Sequence, residues 1–143
     1  MREVLARQSA RNAAPFYIAD EDFSVLTENG RLLFQDENGL LDLPLPKLIG
    51  RHQIANAGLA IAALNAANID LSETSIADGI QQTQWPARLQ FLSSGRLVDR
   101  LMEGAELWLD GGHNPNAGEA IAHTLADLEE RTCLLYTSDA ADD

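Results

Sequence analysis

The loop at residues 110–115 constrains the fold of this chain more than any other stretch. It has the sequence Asp-Gly-Gly-His-Asn-Pro and directly follows residues 106–109, which predict a largely apolar strand. Pro115 suits a first helical position and Asn114 suits the N-cap before it, so we expect a helix from there to about residue 130. A strand, a glycine-containing loop and a helix form half of a βαβ unit. The pattern therefore predicts an α/β fold.

The residues before this loop predict short strands followed by two helices. We expect a helix over 1–12, strands over 16–18, 23–27, 31–34 and 40–43, helices over 53–68 and from Ser72 to 82, and a strand over 89–92. Asn29-Gly30 is a strong hairpin signal between two of these strands, because both residues tolerate a positive φ. Ser72 is a suitable N-cap for the second helix.

Composition excludes several classes of function. A formal net charge of -12 and a pI of about 4.4 disfavour a nucleic-acid partner, because phosphate binding requires a surplus of Lys and Arg. The longest apolar run, 57–67, is broken by Gly58 and Asn65, so no membrane role is expected. The first residues lack the pattern of a secretion signal, and we expect a cytoplasmic location. The single cysteine, Cys133, excludes an intramolecular disulfide.

The loop at 110–115 is also the first candidate for ligand binding. In open α/β sheets, ligands lie beyond the carboxyl ends of the strands, often at a helix N-terminus. Asp110 can bind ribose hydroxyls or a cation, and His113 can hydrogen-bond to a ligand or stack on it. Equally, Asp110 can be a turn former and His113 a surface residue. A histidine metal site is disfavoured, because the three histidines have no helical i, i+4 spacing.

Two further motifs can contact a nucleotide. His52-Gln53-x-x-Asn56 begins the alanine-rich helix, where an amide that both donates and accepts can recognise adenine. Trp85-Pro86-Ala87-Arg88 follows the second helix, and the Arg88 guanidinium can pair with phosphate. Taken alone, the first motif is explained as helix capping and the second as a solvated linker charge beside a core tryptophan.

Taken in order, the three motifs resemble the folylpolyglutamate/dihydrofolate synthase family of the Mur ligase superfamily. The residues that carry the resemblance are Gly50-x-His52-Gln53-x-x-Asn56-Ala57, Trp85-Pro86-x-Arg88 and Asp110-Gly-Gly-His113-Asn114-Pro115. The resemblance runs from about residue 44 to 126. The sequence departs from the family pattern at Ala87, where glycine is usual, and at Gly112, where many members have alanine.

The resemblance implies an α/β fold in which a central P-loop ATPase domain precedes a Rossmann-like C-terminal domain, with the active site between them. We therefore expect residues 1–86 to be the C-terminal part of the central ATPase domain. Residues 87–132 would then be the N-terminal part of the glutamate-ligase domain. Residues 133–143 look like one reading frame of a sequencing adapter, so Cys133 and Tyr136 are not site candidates.

The activity implied by the resemblance is an ATP-dependent ligation of glutamate to a folate or dihydropteroate carboxylate through an acyl phosphate, with Mg²⁺ as the metal. By motif matching, Asn56 would lie on the adenine side of ATP, Arg88 would reach the phosphates and Asp110 would contact the nucleotide. His113 and Asn114 belong to the same loop and are second choices. The parent enzyme is expected to be a monomer.

No catalytic residue or metal ligand of that enzyme is expected among these residues. The sequence contains no GxxxxGK[ST] phosphate-binding loop. That loop and the magnesium ligands would lie upstream, so we expect the chain alone to be inactive. Two alternatives remain: a piece of another Mur-type amide ligase, and a non-enzymatic acidic interaction domain whose loop resembles a ligase by chance.

Overall fold

Four α-helices and two small antiparallel sheets make up residues 2–127, the part of the chain that the computed structural model describes. In chain order the elements are α1 (Arg2–Arg11), β1 (Phe23–Glu28), β2 (Arg31–Asp36), β3 (Gly39–Pro44), α2 (Arg51–Ala66), α3 (Glu73–Gln82), β4 (Gln90–Leu92), a 3₁₀ turn (Val98–Arg100), β5 (Leu107–Leu109) and α4 (Pro115–Asp127). The predicted mixture of helices and strands is confirmed.

The first sheet is a three-stranded meander in the order β1-β2-β3. Its first turn is Asn29-Gly30, whose φ values of 50° and 72° match the hairpin that this dipeptide predicts. The turn sets the register, in which Glu28 pairs with Arg31 and Phe23 pairs with Asp36 at the far end. A two-residue turn and period-2 alternation thus place Leu32 and Phe34 of β2 on the same, buried face.

The hydrophobic core lies between this sheet and helices α2 and α3. Leu32 and Phe34 on β2 are almost fully buried, and the ring of Phe34 stacks on Phe23 with centroids 5.8 Å apart. Ile61 from α2 and Ile76 from α3 belong to the same cluster. The core is therefore built from one continuous segment, residues 23–76.

Helix α2 approaches the sheet unusually closely at Gly58. A Cβ atom at this position would lie 2.0 Å from Cγ2 of Val25 on β1, so only glycine fits. The buried residues of α2 form one stripe, namely Gln53, Ala57, Gly58, Ile61 and Ala62. On the other face of the helix Leu59 is 53% exposed. Within residues 2–127, α2 thus buries one stripe of residues and leaves Leu59 on the other face exposed.

The second sheet pairs β4 with β5 in antiparallel orientation. The Phe91 and Trp108 rings lie across from each other with centroids 5.3 Å apart. After β5 comes the loop at 110–115, and then α4, whose N-cap is Asn114, as predicted: its Oδ1 accepts a hydrogen bond of 2.9 Å from the Ala117 N–H. The predicted continuation of this helix to residue 130 lies outside the described residues, as does the 133–143 segment.

One predicted strand is wrong. Residues 16–18 have no strand partner among the described residues, and only an isolated bridge joins Ala19 to Phe23. The reason is local hydrogen bonding: the Ile18 N–H donates to the Asp22 carboxylate, and the Ile18 carbonyl accepts from the N–H groups of Glu21 and Asp22. These bonds close a turn and use the groups that a strand would offer to its neighbour.

No helix within residues 2–127 is both long and apolar enough to cross a membrane.

Candidate functional site

Two segments that are distant in sequence meet beside the glycine loop. The Leu89 N–H, in the linker after α3, donates a 2.8 Å hydrogen bond to Oδ2 of Asp110. The Gly111 N–H donates a 2.9 Å hydrogen bond back to the Ala87 carbonyl. The structure therefore brings together the Trp-Pro-x-Arg motif and the Asp-Gly-Gly-His-Asn-Pro motif, which 21 residues separate in the sequence.

Asp110 uses both carboxylate oxygens within the protein. While Oδ2 accepts from Leu89, Oδ1 accepts a 2.7 Å hydrogen bond from the Gly112 N–H. Gly112 is tightly surrounded, because a Cβ there would lie 2.9 Å from Cβ of Ala117 and 3.0 Å from Oδ1 of Asp110. Alanine at this position would require this chain to shift its loop or helix by a few tenths of an ångström.

Arg88 presents an exposed cation next to the loop. Its Nη1 lies 3.5 Å from the Ala87 carbonyl, and a Cβ on Gly111 would come within 3.5 Å of the same nitrogen. The ion pairs found within residues 2–127 do not involve Arg88. Such a guanidinium, beside two glycines that leave room for a ligand, suits an anion such as phosphate.

The side chains of the other two candidate residues in the loop differ in their hydrogen bonds. His113 is exposed, and its Nδ1 lies 3.3 Å from the Gly111 carbonyl, so the ring is only weakly held. Asn114 caps α4 through its side-chain oxygen. The Asn114 amide nitrogen can still donate to a ligand.

Asn56 lies away from this group. It is an exposed residue of α2, and its Nδ2 donates a 3.1 Å hydrogen bond to Oε1 of buried Gln53. Nε2 of Gln53 in turn lies 2.9 Å from Nε2 of His52. No hydrogen bond of the described residues joins Asn56 to the loop at 110–115. The polar residues that open α2 form a network of their own.

A separate contact ties the start of α2 to α4. Arg51 forms a two-point ion pair with Asp127, with nitrogen–oxygen distances of 2.8 and 2.7 Å. Nearby, Gly50 adopts a φ of 120°, and a Cβ on it would lie 3.1 Å from Oγ1 of buried Thr124. The segment that carries Asn56 is thus fixed to the helix that follows the glycine loop.

Sequence reasoning missed Leu89, Arg51 and Asp127. Leu89 acts through its backbone N–H, for which side-chain chemistry gives no signal. Arg51 and Asp127 are 76 residues apart, and each is an ordinary charged residue of a helix. Only the tertiary arrangement pairs them.

A metal site is not formed by the described part of the chain. Within residues 2–127, no group of three or more His, Cys, Asp or Glu side chains could hold a metal ion. The exposed guanidinium of Arg88 beside the loop suits an anion rather than a cation.

Comparison with known proteins identifies relatives of one kind. No family model matches the chain. It is 29% identical over 132 residues to the dihydrofolate synthase/folylpolyglutamate synthase of Bacillus subtilis, covering 86% of this chain and 29% of that protein. The chain therefore spans less than a third of the length of this relative.

Solved structures agree with this result. The structure of E. coli FolC in complex with DHPP and ADP matches 91% of this chain and 28% of that chain, with a TM-score of 0.75 and 27% identity. A bifunctional folylpolyglutamate synthase/dihydrofolate synthase with Mn, AMPPNP and L-glutamate bound matches 87% of this chain and 27% of that chain, with a TM-score of 0.71 and 29% identity. As its three motifs predicted, the chain belongs to the folylpolyglutamate/dihydrofolate synthase family.

Proposed function

We propose that this chain supplies part of the nucleotide site of an enzyme that uses ATP to join glutamate to a folate or dihydropteroate carboxylate. The observation that carries the proposal is the position of Arg88. Its exposed guanidinium lies beside Gly111, and hydrogen bonds already fix the Asp110 carboxylate of the same loop. Two matched structures of relatives contain ADP or AMPPNP, which supports a nucleotide as the ligand.

Each candidate residue has a role in this proposal. Arg88 binds the phosphates of ATP, because a planar guanidinium offers several donors to phosphate oxygens. Asp110 contacts the nucleotide from the glycine loop as an acceptor, and His113 and the Asn114 amide nitrogen are donors. Asn56 lies toward the adenine, where its amide can both donate and accept.

The chemistry of the parent enzyme passes through an acyl phosphate. The γ-phosphoryl group of ATP moves to an oxygen of the substrate carboxylate and ADP leaves, which gives the carboxyl carbon a good leaving group. The amino group of glutamate then attacks that carbon, inorganic phosphate departs, and the nitrogen loses a proton as the amide forms. In this chain Arg88 holds the phosphates during the first step, and none of its residues acts as acid or base.

The parent requires parts that these residues do not contain. The sequence has no GxxxxGK[ST] loop, and residues 2–127 contain no cluster of three or more His, Cys, Asp or Glu side chains that could bind a metal ion. Mg²⁺ would offset charge on the transferred phosphoryl group, and its ligands would come from the remainder of the parent. We therefore propose that residues 1–86 end a central ATPase domain and that residues 87–132 begin a Rossmann-like domain. Residues 133–143 would be adapter-derived.

An ADP titration of the 143-residue chain, followed by amide NMR, tests the nucleotide site. We expect shifts concentrated at residues 88 and 110–114, and loss of those shifts in Arg88→Ala. Arg100→Ala, which removes an exposed arginine from the 3₁₀ turn, is the matched control and should bind ADP normally. Shifts that persist in Arg88→Ala would contradict the assigned role.

Two further measurements address the parent enzyme. The chain alone is expected to show no ATP turnover, and glutamate-dependent release of ADP would disprove the proposal that essential parts are missing. Sequencing the source DNA upstream should reveal a GTNGKGS-like loop. Sequencing across the codons for Thr132 and Cys133 should reveal a different continuation.

A further inference from the structure

The two residues on either side of Arg88 have backbone conformations that L-amino acids rarely adopt. Ala87 has a φ of 55° and Leu89 a φ of 41°, both in the left-handed region. For a bulky residue such as leucine this conformation is a genuine outlier, and it persists only where the surroundings enforce it. Strained residues therefore flank the candidate phosphate ligand on both sides.

Hydrogen bonds from two directions enforce this conformation. Oδ2 of Asp110 accepts from the Leu89 N–H at 2.8 Å, and the Ala87 carbonyl accepts from the Gly111 N–H at 2.9 Å. The Ala87 N–H donates to Oε1 of Gln90 at 3.0 Å. Burial of the Leu89 side chain, which is 5% exposed, adds an apolar anchor. We call the bond between Asp110 and Leu89 the linker clamp.

The strained turn determines where the Arg88 side chain points. Leu89 turns into the protein interior, while Arg88 remains exposed, with Nη1 next to Gly111. If Leu89 relaxed to a negative φ, its N–H would turn away from the Asp110 carboxylate and the direction of the chain at Arg88 would change. The position of the guanidinium therefore depends on a bond that Arg88 itself does not make.

We propose that Asp110 is a positioning residue for Arg88: through the linker clamp it holds the strained turn that directs the guanidinium to the phosphate site. The functional consequence rests on the proposed nucleotide site, but the clamp does not. This role is separate from the nucleotide contact proposed above, because it consists of the hydrogen bonds that the two Asp110 oxygens accept from the Leu89 and Gly112 N–H groups. The clamp matters more with alanine at position 87, because a positive φ strains alanine and does not strain glycine.

The clamp can be observed directly in the unliganded chain. A scalar coupling across the hydrogen bond between the Leu89 nitrogen and the Asp110 carboxyl carbon is expected in the wild type, without any substitution. In Asp110→Asn the Leu89 amide should exchange with solvent about tenfold faster or more, because a neutral amide has one acceptor oxygen for the two N–H donors and its NH2 group opposes the other donor. Amides of β2 report global unfolding and should exchange as before. Glu119→Gln, which removes an exposed carboxylate from α4, is the matched control and should leave Leu89 protected.

Binding of ADP separates positioning from direct contact. Asp110→Asn should weaken ADP binding about tenfold although Arg88 is intact, and Ala87→Gly in that background should restore part of the affinity, because glycine adopts a positive φ without enforcement. A direct contact alone predicts no rescue. Absence of ADP binding by the wild type would refute the proposed function, and the Leu89 measurements would still test the clamp. Unchanged Leu89 exchange in Asp110→Asn, or failure of Ala87→Gly to rescue binding, overturns the inference.

Discussion

Arg51 and Asp127 connect the first turn of α2 to the last described turn of α4 through two parallel hydrogen bonds of 2.8 and 2.7 Å. The geometry is the bidentate arrangement in which a guanidinium binds a carboxylate best. The two side chains are 81% and 42% exposed, however, so water and salt screen the pair. The contact therefore specifies how the two helices lie together more than it stabilises the fold.

A double-mutant cycle with Arg51→Ala and Asp127→Ala measures this pair. We expect a coupling free energy of about 0.5–1 kcal/mol at low salt, as for exposed pairs of good geometry. The coupling should fall toward zero in about 1 M salt, where the screening length is about 3 Å. Urea unfolding of the four proteins provides the values. The Glu3–Arg7 pair, whose atoms are 3.9 Å apart, is the control and should show a smaller coupling. A coupling that resists salt would contradict the exposed geometry.

Substitution of Gly58 should be the most damaging single-methyl change in the chain. A Cβ there would lie 2.0 Å from Cγ2 of Val25, so Gly58→Ala must separate α2 from β1. We expect a loss of about 2–3 kcal/mol in the free energy of unfolding, the range of overpacked cores. Gly79→Ala in α3 is the matched control, because no atom lies within 4 Å of its added methyl group. It should stabilise the protein by about 0.5–1 kcal/mol through helix propensity. Equal effects of the two changes would refute the close contact.

Asp36 should make the free energy of unfolding depend on pH in the acidic range. Partial burial raises the pKa of this carboxyl. Hydrogen bonds lower it, and they come from the Asn65 side chain, from the side chain and backbone of Asn38, and from the Gly39 N–H. Together these bonds outweigh burial, so the pKa lies below its usual value. A lowered pKa in the folded state stabilises the protein at pH values above the unfolded pKa, near 4, and this stabilisation is lost as the pH falls through the folded value.

Urea unfolding at about pH 6 and about pH 3 tests the role of Asp36, since these values bracket the usual titration of a carboxyl. Asp36→Asn should lower stability at the higher pH and show a smaller difference between the two conditions than the wild type. Asp78→Asn, which removes an exposed carboxylate from α3, should leave that difference as it is in the wild type. An unchanged acid dependence in Asp36→Asn would exclude these hydrogen bonds as its source.

Ala87→Gly should stabilise the wild-type chain. Ala87 has a φ of 55°, and this conformation costs an L-residue about 1–2 kcal/mol that glycine does not incur. Part of the gain is offset because glycine is more flexible in the unfolded chain, so we expect a net gain of about 0.5–1 kcal/mol by thermal or urea unfolding. Ala63→Gly on the exposed face of α2 should instead destabilise by about 1 kcal/mol. A loss of stability in Ala87→Gly would show that position 87 is not strained.

Local chemistry made most of the fold predictable. The Asn29-Gly30 hairpin and the Ser72 and Asn114 caps each depend on a few neighbouring residues, and all three form as the sequence predicted. The strand expected at 16–18 failed because Asp22 offers the Ile18 N–H a closer partner than any strand. Competition between a local turn and strand pairing cannot be judged from residue types alone.

The candidate site was predictable in its residues but not in its arrangement. The motifs identified Arg88 and Asp110 separately, and the structure joins them through the Leu89 N–H. No pattern of residue types could indicate that contact, because a backbone group makes it and a left-handed conformation at Leu89 permits it. The grouping of Asn56 with these residues stays a prediction.

The core described above has a consequence for the order of folding. Its buried cluster lies within residues 23–76, so the core can form before residues 87–127 are in place. Residues 87–127 contribute no member to that cluster, and the Arg51–Asp127 ion pair joins them to α2. In a refolding experiment the meander and its two helices should therefore acquire protection first, and the glycine loop should be ordered last. The nucleotide ligands would then be the final part of the chain to assemble.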